Sequence, residues 1–310
     1  MASELPPNLM FTPKEILSWR DGYIAIGVDG ELQKLSVDYR PIGKPMKPFP
    51  APIRNATILK DKLIATWLDS ELLLARMASI DLNDEIKEGV ERSDLRTRRT
   101  IDKAIHPEGA LWSHVLDAEP LFLASNDDSF TFVLWRKGIY TMTEDAYETW
   151  RSEEPSWKSI AKLPRSEETI SIIMKENEVE IWSRGGGMNR YDMENGLLTE
   201  QKVIDTEGFL LSVYQDSNNY LFQLNDGQVA MFDGEKIVLK AKLSGPIQTA
   251  YWDNENEGWH ISGWREIIFI SATSSERISI GEIAVYYDDD KKYVLCNDAK
   301  WYDLSLKEEE

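Results

Sequence analysis

The chain has 310 residues, and its 54 acidic side chains outnumber 35 basic ones to give a net charge of −19 at neutral pH. That balance excludes a general nucleic-acid binder, which needs clustered Lys and Arg for phosphate contacts, and it excludes docking on anionic lipid. The 42% hydrophobic and 10% aromatic content is enough to bury a substantial core, which excludes wholesale disorder.

The opening stretch, MASELPPNLMFTPKEILSW, lacks a basic segment followed by an apolar one, so it does not read as a secretory signal. No run of about 18 apolar residues is present to span a bilayer. Cys296 is the only cysteine, so no intrachain disulfide forms, and a single thiol fits a reducing compartment. The expectation is a cytoplasmic monomer without cofactor or metal, in which the Asn55-Ala56-Thr57 sequon plays no part.

Along the chain one pattern recurs seven times: an apolar or alternating run, a tight turn, and a second such run. The copies are YIAIGVDGELQKL (23–35), LIATWLDSELLLA (63–75), TFVLWRKGIYTM (131–142), VEIWSRGGGMNRY (179–191), YLFQLNDGQVAMF (220–232), GWHISGWREIIFI (258–270) and YVLCNDAKWYDL (293–304). Period-2 alternation around turn residues is the signature of a β-hairpin. Asp29-Gly30 and Asp226-Gly227 are the strongest turn signals and predict type I′ turns; Trp264-Arg265 is assigned by position alone.

Each hairpin is preceded by an acidic or Asn-rich turn and, before that, another apolar strand: EILSW, ATIL, PLFLAS, TISIIM, FLLSVY, IQTAYW and EIAVYY. A fourth strand is read after several hairpins, in KSIAKL (158–163), KIVLKAKL (236–243) and ERISI (276–280). The unit is thus a four-stranded antiparallel meander of roughly 35–50 residues, the length of a propeller blade. Such units cannot bury both faces alone and stack radially. The prediction is an all-β, single-domain, seven-bladed β-propeller over 1–306, with 307–310 as an acidic tail. The last unit is one strand short, and NLMFT (8–12) is spare. This segment is expected to supply the missing strand and close the ring, since an open edge invites aggregation; the alternative is a loose N-terminal arm.

The pattern resembles seven-bladed β-propellers over nearly the whole chain and, loosely, WD40-like ones, although the repeated Gly-His and Trp-Asp pairs are missing. The resemblance implies a fold and carries no functional residues onto this chain.

In a blade whose strands are called A to D, A–B turns collect on one face, and B–C turns with D–A loops on the other. The A–B face would carry Asp21, Asp61, Asp127, Asp128, Glu176, Glu178, Asp216, Glu255, Glu257 and Asp288 to Asp290, a negative ring suited to a basic partner or simply good turn chemistry. Neither acidic run has the alternating ligand spacing of a calcium loop. The B–C face offers Arg136, Lys137, Arg184 and Arg265, with Arg54, His106 and Arg165 from D–A loops. Cations near the channel mouth would suit an anionic ligand or carboxylate.

The longest spacing between successive turns, 68 residues, brackets an insertion at 81–120 between blades 2 and 3 that holds the one basic cluster, Arg92, Arg96, Arg98, Arg99 and Lys103. Insertions on repeat scaffolds often carry function; alternatively LRTRRTI is the outer strand of blade 2, with charges guarding its edge. His106, His114, Glu108 and Asp117 lack metal-motif spacing, and Ser113-His114 adjacency says nothing of a triad. Trp67, Trp135 and Trp182, each just before a B–C turn, read as packing between blades or as an aromatic platform. The resulting expectation is a non-enzymatic protein- or peptide-binding scaffold with a protein partner, a basic one if the A–B face is used. The alternative is a propeller enzyme or anionic-ligand binder at the axial mouth of the B–C face. No catalytic residue is assigned.

Overall fold

The computed structural model describes residues 4–20, 22–96 and 104–305. Blade 1 is β1–β4 (Pro13–Trp19, Gly22–Gly27, Leu32–Ser36, Pro41–Met46) and blade 2 is β5–β8 (Ile53–Leu59, Lys62–Asp69, Leu74–Asp81, Ala110–Leu116). Blade 3 is β9–β12 (Pro120–Ser125, Ser129–Leu134, Gly138–Thr143, Glu148–Ser152) and blade 4 is β13–β16 (Thr169–Met174, Glu178–Ser183, Gly187–Asp192, Leu198–Val203). Blade 5 is β17–β20 (Leu210–Asp216, Asn219–Leu224, Gln228–Phe232, Ile237–Lys242) and blade 6 is β21–β24 (Ile247–Asp253, Gly258–Gly263, Glu266–Ser271, Ser275–Ser279). Blade 7 has three strands, β25–β27 (Ala284–Asp288, Tyr293–Cys296, Trp301–Asp303).

Every blade is an antiparallel meander in sequence order. The first strands of neighbouring blades lie side by side around the axis, and β1 lies beside β25, so the seven blades form a ring. The predicted seven-bladed β-propeller is therefore the observed fold.

Burial explains which strands the sequence announces. The second strands are almost wholly buried, as in β18 (NYLFQL) and β22 (GWHISG), because adjacent blades cover both of their faces, and they read as near-continuous apolar runs. The fourth strands are mostly exposed, as in β16 (LTEQKV) and β24 (SERIS), and their charges guard an outer edge. For that reason the outer strand of blade 3 differs from the one the sequence predicts. It is β12, not KSIAKL. Residues 157–163 instead coil through backbone bonds from Ile160 and Ala161 to the Trp157 carbonyl, because Trp157 and Ile160, three residues apart, both turn into the core.

A regularity invisible in the sequence is a β-bulge at the second residue of all seven first strands: Lys14, Arg54, Leu121, Ile170, Leu211, Gln248 and Val285 are each left without a partner. A bulge bends the strand and re-aims one side chain. Repeated seven times, it bends every inner strand at the same end of the channel.

The Asp-Gly turns are not type I′. Gly30 has φ 91° and Gly227 φ 79°, whereas Asp29 and Asp226 keep negative φ. Residues 225–227 form a three-residue connection between β18 and β19, the type I turn plus left-handed Gly that is the next commonest hairpin solution. The Asp226 carboxylate accepts the Gln228 N–H instead.

The insertion lies within blade 2, between β7 and β8, and β8 (ALWSHVL) is the outer strand paired with β7, while LRTRRTI lies mostly outside the described residues. Its described part packs Leu82, Ile86, Leu95 and Ile105 onto Phe49, Ile53 and Trp67 of blades 1 and 2. Backbone bonds from Gly89 to Lys47 and from Glu108 to Pro48 fix it along the blade 1 edge, and buried Arg76 donates to the Ile105 carbonyl.

Residues 8–12 form no strand, and among the described residues blade 7 has no fourth strand. Pro6, Pro7 and Pro13 flank the segment and remove donors a ladder needs. Leu9 donates one backbone bond to Ala299, and Leu9 and Phe11 are buried beside Leu295 and Trp301. Side chains join blades 7 and 1 as well: the Tyr39 hydroxyl meets Asp288 and Tyr286, and Lys291 donates to the Val37 carbonyl.

Candidate functional site

On the B–C face every predicted cation except Arg136 has a polar partner nearby among the described residues, and Arg165 and Arg184 share one. Lys137 donates to Asp117 at 2.8 Å, a contact that raises the lysine pKa and lowers that of the carboxyl. Arg54 faces Glu119 at 3.9 Å, and Arg265 donates to the Gly281 carbonyl at 2.8 Å. Arg165 forks onto Glu168, which also lies 3.8 Å from Arg184. His106 belongs to the blade 2 insertion rather than a D–A loop. Its Nδ1 lies 2.9 Å from Ser113 Oγ, and burial, then nearby Arg76, lowers its pKa. These residues are distributed over separate blades, each held by local partners.

What this face does present is arginine paired with exposed apolar surface. Arg136 lies over the Trp135 ring at 4.4 Å, and Trp135 is 49% exposed while Trp67 and Trp182 are buried. The three tryptophans read alike in the sequence, yet only two pack between blades. Arg184 lies 5.6 Å from the Phe209 ring, beside a cleft of about 430 Å³ between blades 4 and 5 floored by Ile160, Leu163, Ile204 and Phe209. Trp264, next to Arg265, is 46% exposed. The sequence reading found the arginines and missed Phe209, Trp264 and Leu163, because nothing local distinguishes a turn-flanking apolar residue that packs from one that faces solvent.

At the channel mouth the bulge residues Lys14 and Arg54 stand on adjacent blades. Lys14 Nζ donates to the Ile53 and Arg54 carbonyls, and burial lowers its pKa. One residue further in, burial raises the carboxyl of Glu15.

The basic cluster of the insertion is split. Arg92 is neutralised by Asp69 and Glu71 at 2.9 and 2.7 Å, Arg96 follows a single helical turn, α1 (Arg92–Leu95), and Arg98, Arg99 and Lys103 lie outside the described residues.

The A–B face is not a uniform negative ring. Arg20 pairs with Asp61, Lys175 and Arg190 pair with Glu178, and Asp21 lies outside the described residues. Negative charge concentrates at blades 6 and 7, where Asp253, Glu255 and Asp288 to Asp290 line a cleft of about 560 Å³ together with Tyr23, Tyr251 and Tyr286. On its wall His260 Nε2 lies 3.3 Å from Asp253 Oδ2 and 3.8 Å from Asp289 Oδ2. These three residues sit in β22, at the end of β21 and just after β25, too far apart in the chain for spacing to unite them. His106 and His114, the histidines the sequence did single out, join no such group among the described residues.

A ring of seven antiparallel meanders, six of four strands and one of three, defines a seven-bladed β-propeller. The sequence matches no family model and no curated protein. Among solved structures, the β-propeller domain of Cps50 (Swd1) from Myceliophteria thermophila superposes with TM-score 0.62 at 11% identity, covering 88% of each chain. The WD40 β-propeller domain of Doa1 gives 0.63 at 10% identity, covering 94% of this chain and 92% of that one. The computationally designed protein Ika8 gives 0.59 at 9% identity, with 96% of this chain and 98% of that one covered. At these identities the likeness is one of fold.

Proposed function

We propose that the protein is a non-enzymatic interaction scaffold that binds a protein or peptide through its B–C face. The observation that carries this is the pairing of arginine with aromatic surface at separate blades, Arg136 on half-exposed Trp135 and Arg184 on half-buried Phe209 beside the apolar cleft. Trp and Arg dominate binding hot spots, since each combines large contact area with directional donors. Arg136 has no carboxylate within ion-pair distance among the described residues, so its donors are available to an acidic group on a partner. The partner segment this surface suits carries an apolar side chain for the blade 4–5 cleft and carboxylates for Arg136 and Arg184.

The likeness to the WD40 propeller domain of Doa1 supports the reading by analogy of fold, and fold alone does not decide function. The test is affinity capture with the full chain, comparing wild type with Trp135→Ala, Arg184→Glu and a deletion of 84–103. Loss of the same captured proteins in both point variants supports the B–C face. Retention in both, with loss in the deletion, moves the site to the insertion.

A further inference from the structure

We propose that Asp253, His260 and Asp289 form a binding site for one divalent transition-metal ion of the zinc class, on the A–B face at the seam between blades 6 and 7. The site is on the face opposite the proposed partner surface and does not depend on that reading.

The first argument is geometric. Metal–ligand distances near 2.0–2.1 Å in tetrahedral arrangement place ligand atoms about 3.3 Å apart. His260 Nε2 is 3.3 Å from Asp253 Oδ2 and 3.8 Å from Asp289 Oδ2, and all three ligand atoms lie within 4.8 Å of one another. The His260–Asp289 separation of 3.8 Å exceeds that spacing, and the three atoms span up to 4.8 Å, so seating one ion requires the carboxylates to rotate inward.

The second argument concerns how the ligands are held. Metal sites use outer hydrogen bonds to orient their ligands. Here Tyr287 Oη and Lys292 Nζ both donate to Asp289 Oδ1, each at 2.7 Å, which turns Oδ2 towards His260. The Asp253 Oδ1 atom accepts the backbone N–H groups of Glu255 and Asn256, and Asn256 Nδ2 steadies Oδ2. The imidazole is 7% exposed and held between the Tyr251 and Phe269 rings, 5.0 and 4.8 Å away.

Ionisation suits the chemistry. The side-chain bond from Asn256 leads the contacts that hold Asp253 at a pKa of about 2. Burial pushes Asp289 upward, but donors from Lys292 and Tyr287 outweigh it and its pKa is lowered. An imidazole nitrogen with two carboxylates favours zinc-class metals over magnesium or calcium, which prefer all-oxygen sets. The adjoining cleft leaves the remaining coordination position to water, as in three-ligand zinc sites.

The experiment is calorimetric titration of the full chain with Zn²⁺ near neutral pH, with Co²⁺ absorption as a spectroscopic probe of the ligand set. The expected result is one ion per chain and a melting temperature that climbs with zinc concentration. Asp289→Asn and Asp253→Asn should weaken binding by about 100-fold or more and Tyr287→Phe by about 10-fold, while His106→Ala leaves it unchanged. His260→Ala should abolish it, and because that change opens a buried position, the two Asn variants serve as the folded controls, checked by far-UV circular dichroism. Absence of stoichiometric binding by wild type, or binding by Asp289→Asn and His260→Ala equal to wild type, overturns the proposal.

Discussion

The hydroxyl of Tyr39, in the last turn of blade 1, is hydrogen-bonded to the carboxylate of Asp288 at the end of the first strand of blade 7. Tyr39 is fully buried, its ring is 4.6 Å from those of both Tyr23 and Trp301, and burial followed by the Asp288 bond raises its pKa. Among the described residues blade 7 has no fourth strand, and this pair is one of the links across the seam between blades 7 and 1. Tyr39→Phe keeps the packing and strands the Asp288 acceptor, a loss of about 1–3 kcal/mol. Tyr39→Ala adds a cavity and should cost about 3–5 kcal/mol. Urea unfolding of the two variants separates these contributions.

Glu180, fully buried in β14, is the hub of a charge cluster. It accepts from Lys175 at 2.8 Å, Arg190 at 2.9 Å and Tyr220 at 3.0 Å. Burial drives its pKa up, yet the Lys175 and Arg190 bonds prevail and the net shift is downward from 4.5. A depressed carboxyl pKa stabilises the fold above the unfolded value and ceases to do so as pH falls through the folded one. Wild type should therefore lose stability on acidification below about 4.5. Glu180→Gln should be less stable at pH 7 by about 3 kcal/mol and show a flatter acid profile. Thermal melts between pH 3 and 7 test the slope; parallel profiles for the two proteins would contradict it.

Gly30 and Gly227 occupy the same sequence motif and should respond differently to alanine. Both have positive φ, which costs a non-glycine residue about 1–2 kcal/mol. At Gly30 a Cβ would also stand 2.4 Å from the Ala51 carbonyl oxygen, whereas at Gly227 its nearest neighbour is the Lys242 ammonium at 3.8 Å. Gly227→Ala should cost about 1 kcal/mol, and Gly30→Ala about 3 kcal/mol once overpacking is added. Equal midpoints in denaturant for the two variants would show that the Ala51 contact relaxes freely.

Trp135 and Trp264 are each about half exposed, so their replacement should remove the largest share of acrylamide-quenchable fluorescence. The double alanine variant should unfold within about 0.5 kcal/mol of wild type, as surface changes do. A larger loss of stability would mean that these rings pack rather than wait for a partner.

The reach of the sequence reading follows the range of the interactions involved. The buried strands were found because adjacent blades cover both of their faces, so YLFQLNDGQVAMF and its six counterparts stand out as apolar runs around turn residues. The outer strand of blade 3 was lost because ETWRS has one apolar residue, Trp150, facing inward. The arginines at the B–C turns were legible as turn residues. Their local ion partners, Glu119, Asp117 and Glu168, come from the loops that enter each blade and were not.

Alternation, turn chemistry and repeat length are properties of a few consecutive residues, and from them the sequence by itself determined an all-β ring of seven blades and the face on which each turn lies. Only the tertiary structure decided the rest. It placed a bulge at the mouth of every inner strand and buried Trp67 while leaving Trp135 in water. It also joined blades 7 and 1 through the Tyr39–Asp288 contact and brought His260 between two aspartates from separate turns. Each of these depends on which blade lies alongside, and packing between neighbouring blades leaves no periodic trace in either one's sequence.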